Sequence, residues 1–414
     1  MEKNYFASIE FNATNINILI LNYYQNKLSV VASTSVNSSG YFNGEITDFD
    51  AFNASLDLAI NDIANKYKIK LDEVILILPN NEHKVYSASV TNKVLTERQI
   101  IGKQQVDAIR KQLRSSKVND GEILVDEVPT LFTLEGERHL RTAPINQRSS
   151  ILKIRSNIHT LPKVIIEPLI ETLNNKNIKV LGSVINCYCG VRASLNDIDL
   201  ENACIHINFS SEVTTISAFY KNVLLKSVIV EFGCDTLINY LATTLKVSKE
   251  KAIDLFDSYF VCDVDIANDI IFDDELKLSE RRISGILLNR LYNAFNEVLD
   301  VCNDLASEFR FNEDYFVLTT GYLNDIPQFV NEFKNYASLN IKEGNVKLTA
   351  INSQKFVNCY GAIVNFINLN KDFVINRLEK DESIEIENKV NTYEFKEEVK
   401  ESSSNSRFKD IFDD

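Results

Sequence analysis

The chain has 414 residues, enough for two or three lobes with separate cores, and its 45% hydrophobic and 25% charged content is that of a globular protein. A formal net charge of −14, with no basic run interleaved with aromatics, gives a field that repels nucleic acid and anionic lipid and excludes a nucleic-acid-binding role. Only 12 glycines are present, few for a protein that would cradle phosphates on backbone N–H groups.

The N-terminus reads as a β-meander, with apolar runs at Tyr5–Ile9, Ile16–Leu21 and Leu28–Thr34. Asp48 or Asp50 is placed to cap a helix whose apolar positions Phe52, Leu56, Ala59, Ile60, Ile63 and Tyr67 recur at helical spacing, and Val74–Leu78 reads as a buried strand. The character changes at 85–162: a strand at Val85–Val90, a helix near Glu97–Leu113, strands at Ile123–Val128 and Leu131–Leu134, a basic irregular stretch at Arg138–Arg148 and a strand at Ile151–Ile154. This is the pattern of a small α+β unit inserted into a larger fold. From 163 the helix–strand alternation resumes, with a strand at Val180–Ile185.

The second half repeats the opening plan. A hairpin at 204–219, a strand at Val223–Val230 and a helix at Asp235–Leu245 form a second βββα unit, and two such units in tandem mark the duplicated actin/hexokinase-like (ribonuclease H-like) α/β fold. Helices dominate 247–310, with Ile283, Ile286, Leu287, Leu291, Phe295, Val298 and Leu299 on one face, and Tyr315–Leu318 is a strand leading into Thr319-Thr320-Gly321. The expected organisation is a first lobe in parts at 1–84, 163–198 and 350–372, the insertion at 85–162, and a second lobe at 199–349 with a helical subdomain at about 247–303. An acidic, Glu/Lys/Ser-rich tail at 373–414 is expected to be disordered.

No apolar run approaches the ~20 residues that span a bilayer. Seven cysteines, single apart from Cys187-Tyr188-Cys189, show neither a disulfide framework nor a zinc spacing, and with no leader visible the expected compartment is a reducing cytoplasm. His83, His139, His159 and His206 are far apart in sequence, so each is read as an ordinary core or surface histidine and no metal site is expected.

Several short segments, in the right order, resemble the bacterial cell-division family FtsA, an actin relative, over roughly residues 5–365. They are Gly40-Tyr41-Phe42-Asn43-Gly44-Glu45-Ile46 before the first long helix, Val128-Pro129 and Pro144 in the insertion, Gly233-Cys234-Asp235-Thr236 opening a helix, Val317-Leu318-Thr319-Thr320-Gly321, and the closing Phe356–Gly361. The position of the insertion separates FtsA from actin, DnaK-type chaperones and sugar kinases; the type IV pilus protein PilM shares it and is the nearest rival reading.

The resemblance implies a nucleotide site, and the residues at its positions depart from the family pattern. In the first phosphate loop Glu10 keeps a carboxylate one methylene too long, Asn12 stands for glycine (it can adopt positive φ at modest cost), Thr14 is kept and the lysine is lost to Asn15. In the second, Asn208 replaces the aspartate, Ser210, Ser211 and Glu212 replace the glycines, and Thr215 stands where a second aspartate is expected. A Glu212 carboxylate 4 Å from a γ-phosphate would cost ~4 kcal/mol at a surface-like dielectric. Ile253 and Phe256 stand where a glutamate and a lysine would surround the adenosine, while Gly233 and Gly321 survive. The expectation is a pseudo-ATPase: ATP and Mg²⁺ bound at low affinity or not at all, and no catalytic residues.

The same resemblance implies partners. Arg290, on the helix of the 247–303 lobe, occupies the position that faces the acidic C-terminal peptide of FtsZ, although Tyr292 and Asn293 stand where glutamates usually follow. At the C-terminus Phe408, Ile411 and Phe412 share one helical face, and burying them would yield on the order of 5 kcal/mol. Asp410, Asp413 and Asp414 outnumber Arg407 and Lys409, which makes a single copy a weak lipid anchor or a docking peptide for another protein. The expected protein is an adaptor that tethers FtsZ polymers to the cytoplasmic face of the membrane at the division site and self-associates, with no nucleic-acid partner. A PilM-like pilus or secretion scaffold and an ATP-dependent actin-like ATPase are the alternatives.

Overall fold

In the computed structural model, residues 1–378 are described, apart from 3, 97, 117, 274–275, 312–314, 347, 349 and 352. They form two compact units, one of residues 1–80 and 170 onward, the other of 81–169.

The larger unit opens with β1 (Tyr5–Phe11) and β2 (Asn15–Tyr24), antiparallel with Ser8 opposite Leu19, and β3 (Lys27–Asn37) pairs with β2. Two two-residue strands, β4 (Tyr41–Phe42) and β5 (Glu45–Ile46), follow. Asn43 and Gly44 between them hold φ of 52° and 86°, the left-handed pair that a tight two-residue hairpin turn requires. Asp48 caps α1 (Phe49–Tyr67) by accepting from the N–H groups of Asp50 and Ala51, and Phe52, Leu56, Ala59 and Ile63 are buried along one face. The chain returns as β6 (Glu73–Leu78), parallel to β1.

The smaller unit is built by β7 (Lys84–Lys93), α2 (Lys103–Arg114), β8 (Glu122–Leu134), β9 (Arg138–Leu140) and β10 (Ile151–Pro162), in sheet order β7-β10-β8-β9. Val106, Ile109 and Leu113 of α2 pack with Phe132, Leu152, Ile154 and Ile158 of the sheet. Three local expectations change. The helix begins at Lys103, because the Gly102 N–H donates to the Gln105 side chain and fixes the start there. The two short strands around Pro129 are one strand, since β9 covers only Phe132–Leu134 and leaves Pro129 on an open edge beside a register shift. The stretch at 138–148, read as irregular, contributes β9.

His83 and His159, remote in sequence, are stacked, with His83 Nε2 3.0 Å from His159 Nδ1 and the rings 3° from parallel. Strand pairing, not sequence spacing, brings these two histidines together. Burial pushes their pKa values down, to about 3 for His83 and about 4 for His159.

After α3 (Lys163–Asn175), β11 (Lys179–Ile185) completes the first sheet in the order β11-β6-β1-β2-β3. Then come α4 (Asn186–Ser194), the single turn α5 (Asp197–Leu200), and the second meander, β12 (Ala203–Phe209), β13 (Thr214–Tyr220) and β14 (Val223–Val230). Helices α6 (Cys234–Leu245), α7 (Lys249–Tyr259) and α8 (Glu280–Glu308) follow, then β15 (Phe316–Gly321), α9 (Phe329–Ala337), β16 (Ile341–Glu343) and α10 (Val357–Leu369). The second sheet runs β14-β13-β12-β15-β16, a meander extended by two parallel strands, which is the plan of the first. The duplicated fold is therefore present in strand order as well as in pattern.

Strand pleating decides what faces the middle of this unit. Phe11 packs on α1 through Phe52, while Phe6, Ser8 and Glu10 of the same strand face α10. On β12, Phe209 packs with Phe329 and Phe333, whereas His206 and Asn208 face α4. Helices α4 and α10 meet between these two polar strand faces. A Cβ on Gly361 would lie 1.8 Å from the Cys189 carbonyl oxygen, so only glycine lets the two helix backbones approach this closely. The body also extends further than expected: residues 371–378 are helical, Val374 is buried and Arg377 pairs with Glu73, because this stretch still offers an apolar face and a counter-charge to the first sheet. The rest of the tail, with Phe408, Ile411 and Phe412, lies outside the described residues.

Gly361→Ala should destabilise the larger unit by about 3 kcal/mol or more, because backbone cannot give way as a side chain can; unchanged thermal unfolding by circular dichroism would refute the close contact. The histidine pair gives a pH dependence. Both folded pKa values lie below the unfolded value near 6.5, so stability is complete above ~6.5 and falls as pH drops toward about 4. For His159 alone the loss is about 3 kcal/mol by pH 4, read as lost hydrogen-exchange protection in β7 and β10, and His159→Phe should flatten that profile.

Candidate functional site

The residues expected to serve a nucleotide lie in the larger unit, at the β1–β2 and β12–β13 hairpins. Glu10 is 4% exposed at the end of β1. Its Oε1 accepts from Asn358 Nδ2 at 2.6 Å and from Asn186 Nδ2 at 3.0 Å, and its Oε2 accepts from Asn17 Nδ2 at 3.3 Å. These donors come from α10, the first residue of α4, and β2. Burial raises the Glu10 pKa, and the amide donors pull it back.

The chain of polar contacts continues into the second lobe. Asn208 Nδ2 donates to Asn186 Oδ1 at 2.9 Å, Thr320 Oγ1 lies 3.4 Å from Asn208 Oδ1, and His206 Nε2 is 2.8 Å from Thr320 Oγ1. Burial holds His206 down, with a pKa of about 4. A second strut runs through Asn80, which accepts from the Cys187 N–H and donates to Thr215 Oγ1. The two strands expected to carry metal-shell carboxylates are thus tied by carboxamides, with Glu10 the single acid among them.

Asn12 closes the β1–β2 turn through its N–H and side chain to Asn15 and has no positive φ, so the left-handed backbone allowed for it is not used. The Thr14 hydroxyl is buried in the same turn with no hydrogen-bond partner among the described residues. Ser210 donates from both N–H and Oγ to the Val213 carbonyl, and the carbonyls of Ser210 and Ser211 accept from the N–H groups of Cys234 and Asp235 at the start of α6. The N-terminus of α6 therefore spends two donors on the hairpin. A Cβ on Gly233 would lie 2.3 Å from the Ser211 carbonyl oxygen, so this glycine serves the hairpin contact.

On the adenosine side, Gly321 has φ 101°, and a Cβ there would lie 2.4 Å from the Phe209 carbonyl oxygen. Gln354, 8% exposed, fills the space beside it, accepting from the Gly321 N–H at 3.4 Å and donating to the Gly344 carbonyl at 2.7 Å. Phe256 is fully buried and Ile253 packs against the same core, so these positions face inward and carry no ligand contact. From the same helix the pKa of Asp257 is raised by burial and lowered by Lys355, whose Nζ sits 4.8 Å from the Tyr322 ring centre. Asn17, Asn186, Asn358, Gln354 and Lys355 were missed in the sequence; the Asn186–Asn208–Asn358 run of carboxamides gave no motif to find, because its members come from three separate elements. A Mg²⁺–triphosphate would have to displace contacts already made, since Glu10 accepts from three carboxamides and Gln354 stands beside Gly321, while the Thr14 hydroxyl and Asp235 Oδ1 are buried with no partner among the described residues. Among the described residues no group of three His, Cys, Asp or Glu gathers to hold a metal.

Arg290 is exposed on α8 and makes no ion pair among the described residues. Among the described residues no helix is long and apolar enough to cross a membrane.

No family model matches the chain. It is 21% identical over 303 residues to the cell division protein FtsA of Streptococcus pneumoniae, covering 72% of this chain and 66% of that one. It is 20% identical over 314 residues to FtsA of Staphylococcus epidermidis (74% and 67%) and 25% identical over 230 residues to FtsA of Rhizobium meliloti (54% and 50%). The chain thus spans about two thirds of the length of the first two and half of the third. Among solved structures it is similar to the PilM–PilN type IV pilus biogenesis complex, with TM-score 0.58, 13% identity and coverage of 88% of this chain and 97% of that one. The ethanolamine utilization protein EutJ of Carboxydothermus hydrogenoformans gives TM-score 0.51 at 10% identity, covering 87% and 89%. The chain is FtsA-like in sequence and actin-like in fold.

Glu10→Ala should lower the unfolding free energy by about 3 kcal/mol in the complete absence of nucleotide, because three buried amide donors lose their acceptor. A carboxylate kept only for a metal shell would leave the ligand-free protein as stable as before, and urea titration separates the two.

Proposed function

We propose that this chain is a cell-division adaptor of FtsA type, which links polymers of the tubulin-like protein FtsZ to the inner membrane face and turns over little or no ATP. The observation that carries the reading is the likeness to FtsA over 303 residues, 72% of the chain. The setting of Glu10 supports the second half of it: a buried acid held by Asn17, Asn186 and Asn358 favours a fixed arrangement of lobes over a cycle of metal binding and release. Exposure of Arg290 on α8 supports its use toward an acidic peptide. In this reading the Phe408, Ile411 and Phe412 segment supplies the membrane contact, strengthened by avidity when copies self-associate.

A second reading, a scaffold of PilM type, is favoured by the fold similarity to the PilM–PilN complex. The two differ in the peptide they bind. A C-terminal FtsZ peptide from the same cell, immobilised and titrated with the full chain, should bind, and Arg290→Glu should weaken it at least ~10-fold, a loss of about 1.4 kcal/mol. Absence of wild-type binding would remove the division reading, and binding indifferent to Arg290→Glu would remove that residue from the contact.

A further inference from the structure

The second hairpin turn carries Glu212, and its carboxylate does not point into open cleft. Glu212 Oε2 accepts from the Asn43 N–H at 3.1 Å, while its Oε1 is buried with no hydrogen-bond partner among the described residues. Asn43 lies at the tip of the β4–β5 hairpin, so one side chain from the second lobe reaches a backbone donor of the first. Tyr41, buried beside Phe11 and Phe52, has its hydroxyl pKa raised by burial and by the neighbouring Glu212 charge, so the carboxylate lies against the aromatic wall of the first lobe.

We propose that Glu212 is a built-in anion: the chain's own carboxylate occupies the Asn43 backbone N–H of the first lobe and holds the two lobes together without a phosphate ligand. Three features support this. The Asn43-Gly44 turn fixes both φ angles in the left-handed region, which presents the Asn43 N–H at the hairpin tip. The Ser210–Val213 turn is pinned by α6 through Cys234 and Asp235, so Glu212 projects from a rigid base. Burial is the larger influence and holds the Glu212 pKa above the usual carboxylate value, the Asp235 charge adds to the rise, and the backbone N–H contact counters them in part. A carboxylate accepting from backbone N–H groups uses the same hydrogen-bond chemistry as a bound phosphate oxygen. The inference rests on the proposed absence of nucleotide turnover only in treating the closed cleft as the resting state.

The test is hydrogen exchange on the full chain, with no nucleotide, read at Asn43. Glu212→Ala should speed exchange at that amide at least ~10-fold, while the ladder amides of Ile9 and Ile18 keep wild-type protection and show that the variant is folded. Glu212→Gln, which keeps one acceptor oxygen, should leave the Asn43 amide closer to wild type than Glu212→Ala does. Exchange at Asn43 unchanged in Glu212→Ala overturns the proposal. Titration of the wild type with MgATP runs beside it: micromolar binding there would remove the reading of little or no turnover, whereas the role of Glu212 is judged on the nucleotide-free exchange alone.

Discussion

The larger unit is organised around one buried carboxylate. Glu10 would be costly to bury alone, since an ionised group in a medium of low dielectric loses several kcal/mol of hydration. Three carboxamides converge on it, and each belongs to a different element: β2, the start of α4 and α10. The acid therefore specifies where α4 and α10 must sit on the first sheet, and Asn186 passes that constraint to Asn208 in the second. Removing the carboxylate would leave three buried amide donors without their acceptor. Keeping it demands a closed arrangement in which every donor is in place. Duplication of the sheet plan supplies two similar platforms, and this network sets their relation.

Much of the architecture was legible because it depends on local pattern. The two meanders, the Asp48 cap, the helical spacing of Phe52 to Ile63 and the Asn43-Gly44 turn are each fixed by neighbours within a few residues. Strand limits were less so. Pro129 ends a strand by propensity, yet β8 continues through it because the partner strand stops three residues later and leaves its edge free. The compact body of the smaller unit runs 81–169 where the sequence placed an insertion at 85–162, since the flanking residues have neutral pattern and acquire their place only by packing.

The site was legible only by what it lacks. Substitutions at Asn12, Asn208, Ser210 and Ser211 say that a phosphate is poorly served; they do not say what serves in its place. Asn186, Asn358 and Gln354 gave no signal, because an asparagine or glutamine in a helix start has the same composition whether it faces water or a buried acid. The stacked pair of His83 and His159 was hidden for the same reason: the separation that matters is across strands. Glu212 was seen as a repulsion toward a ligand, and its position against Asn43 gives that same charge an attractive partner inside the chain.

The distribution of glycine separates the two roles that such residues can have in this fold. A phosphate loop needs glycine so that a ligand can approach the backbone; a packed junction needs it so that another backbone can. In the first and second loops, where only a ligand would require it, the positions hold Asn12, Ser210 and Ser211. At 233, 321 and 361 a Cβ would strike the carbonyl of Ser211, Phe209 or Cys189, at 2.3, 2.4 and 1.8 Å, and glycine is present at all three. A glycine at each of these three positions is one that the chain itself needs in order to pack its own backbone.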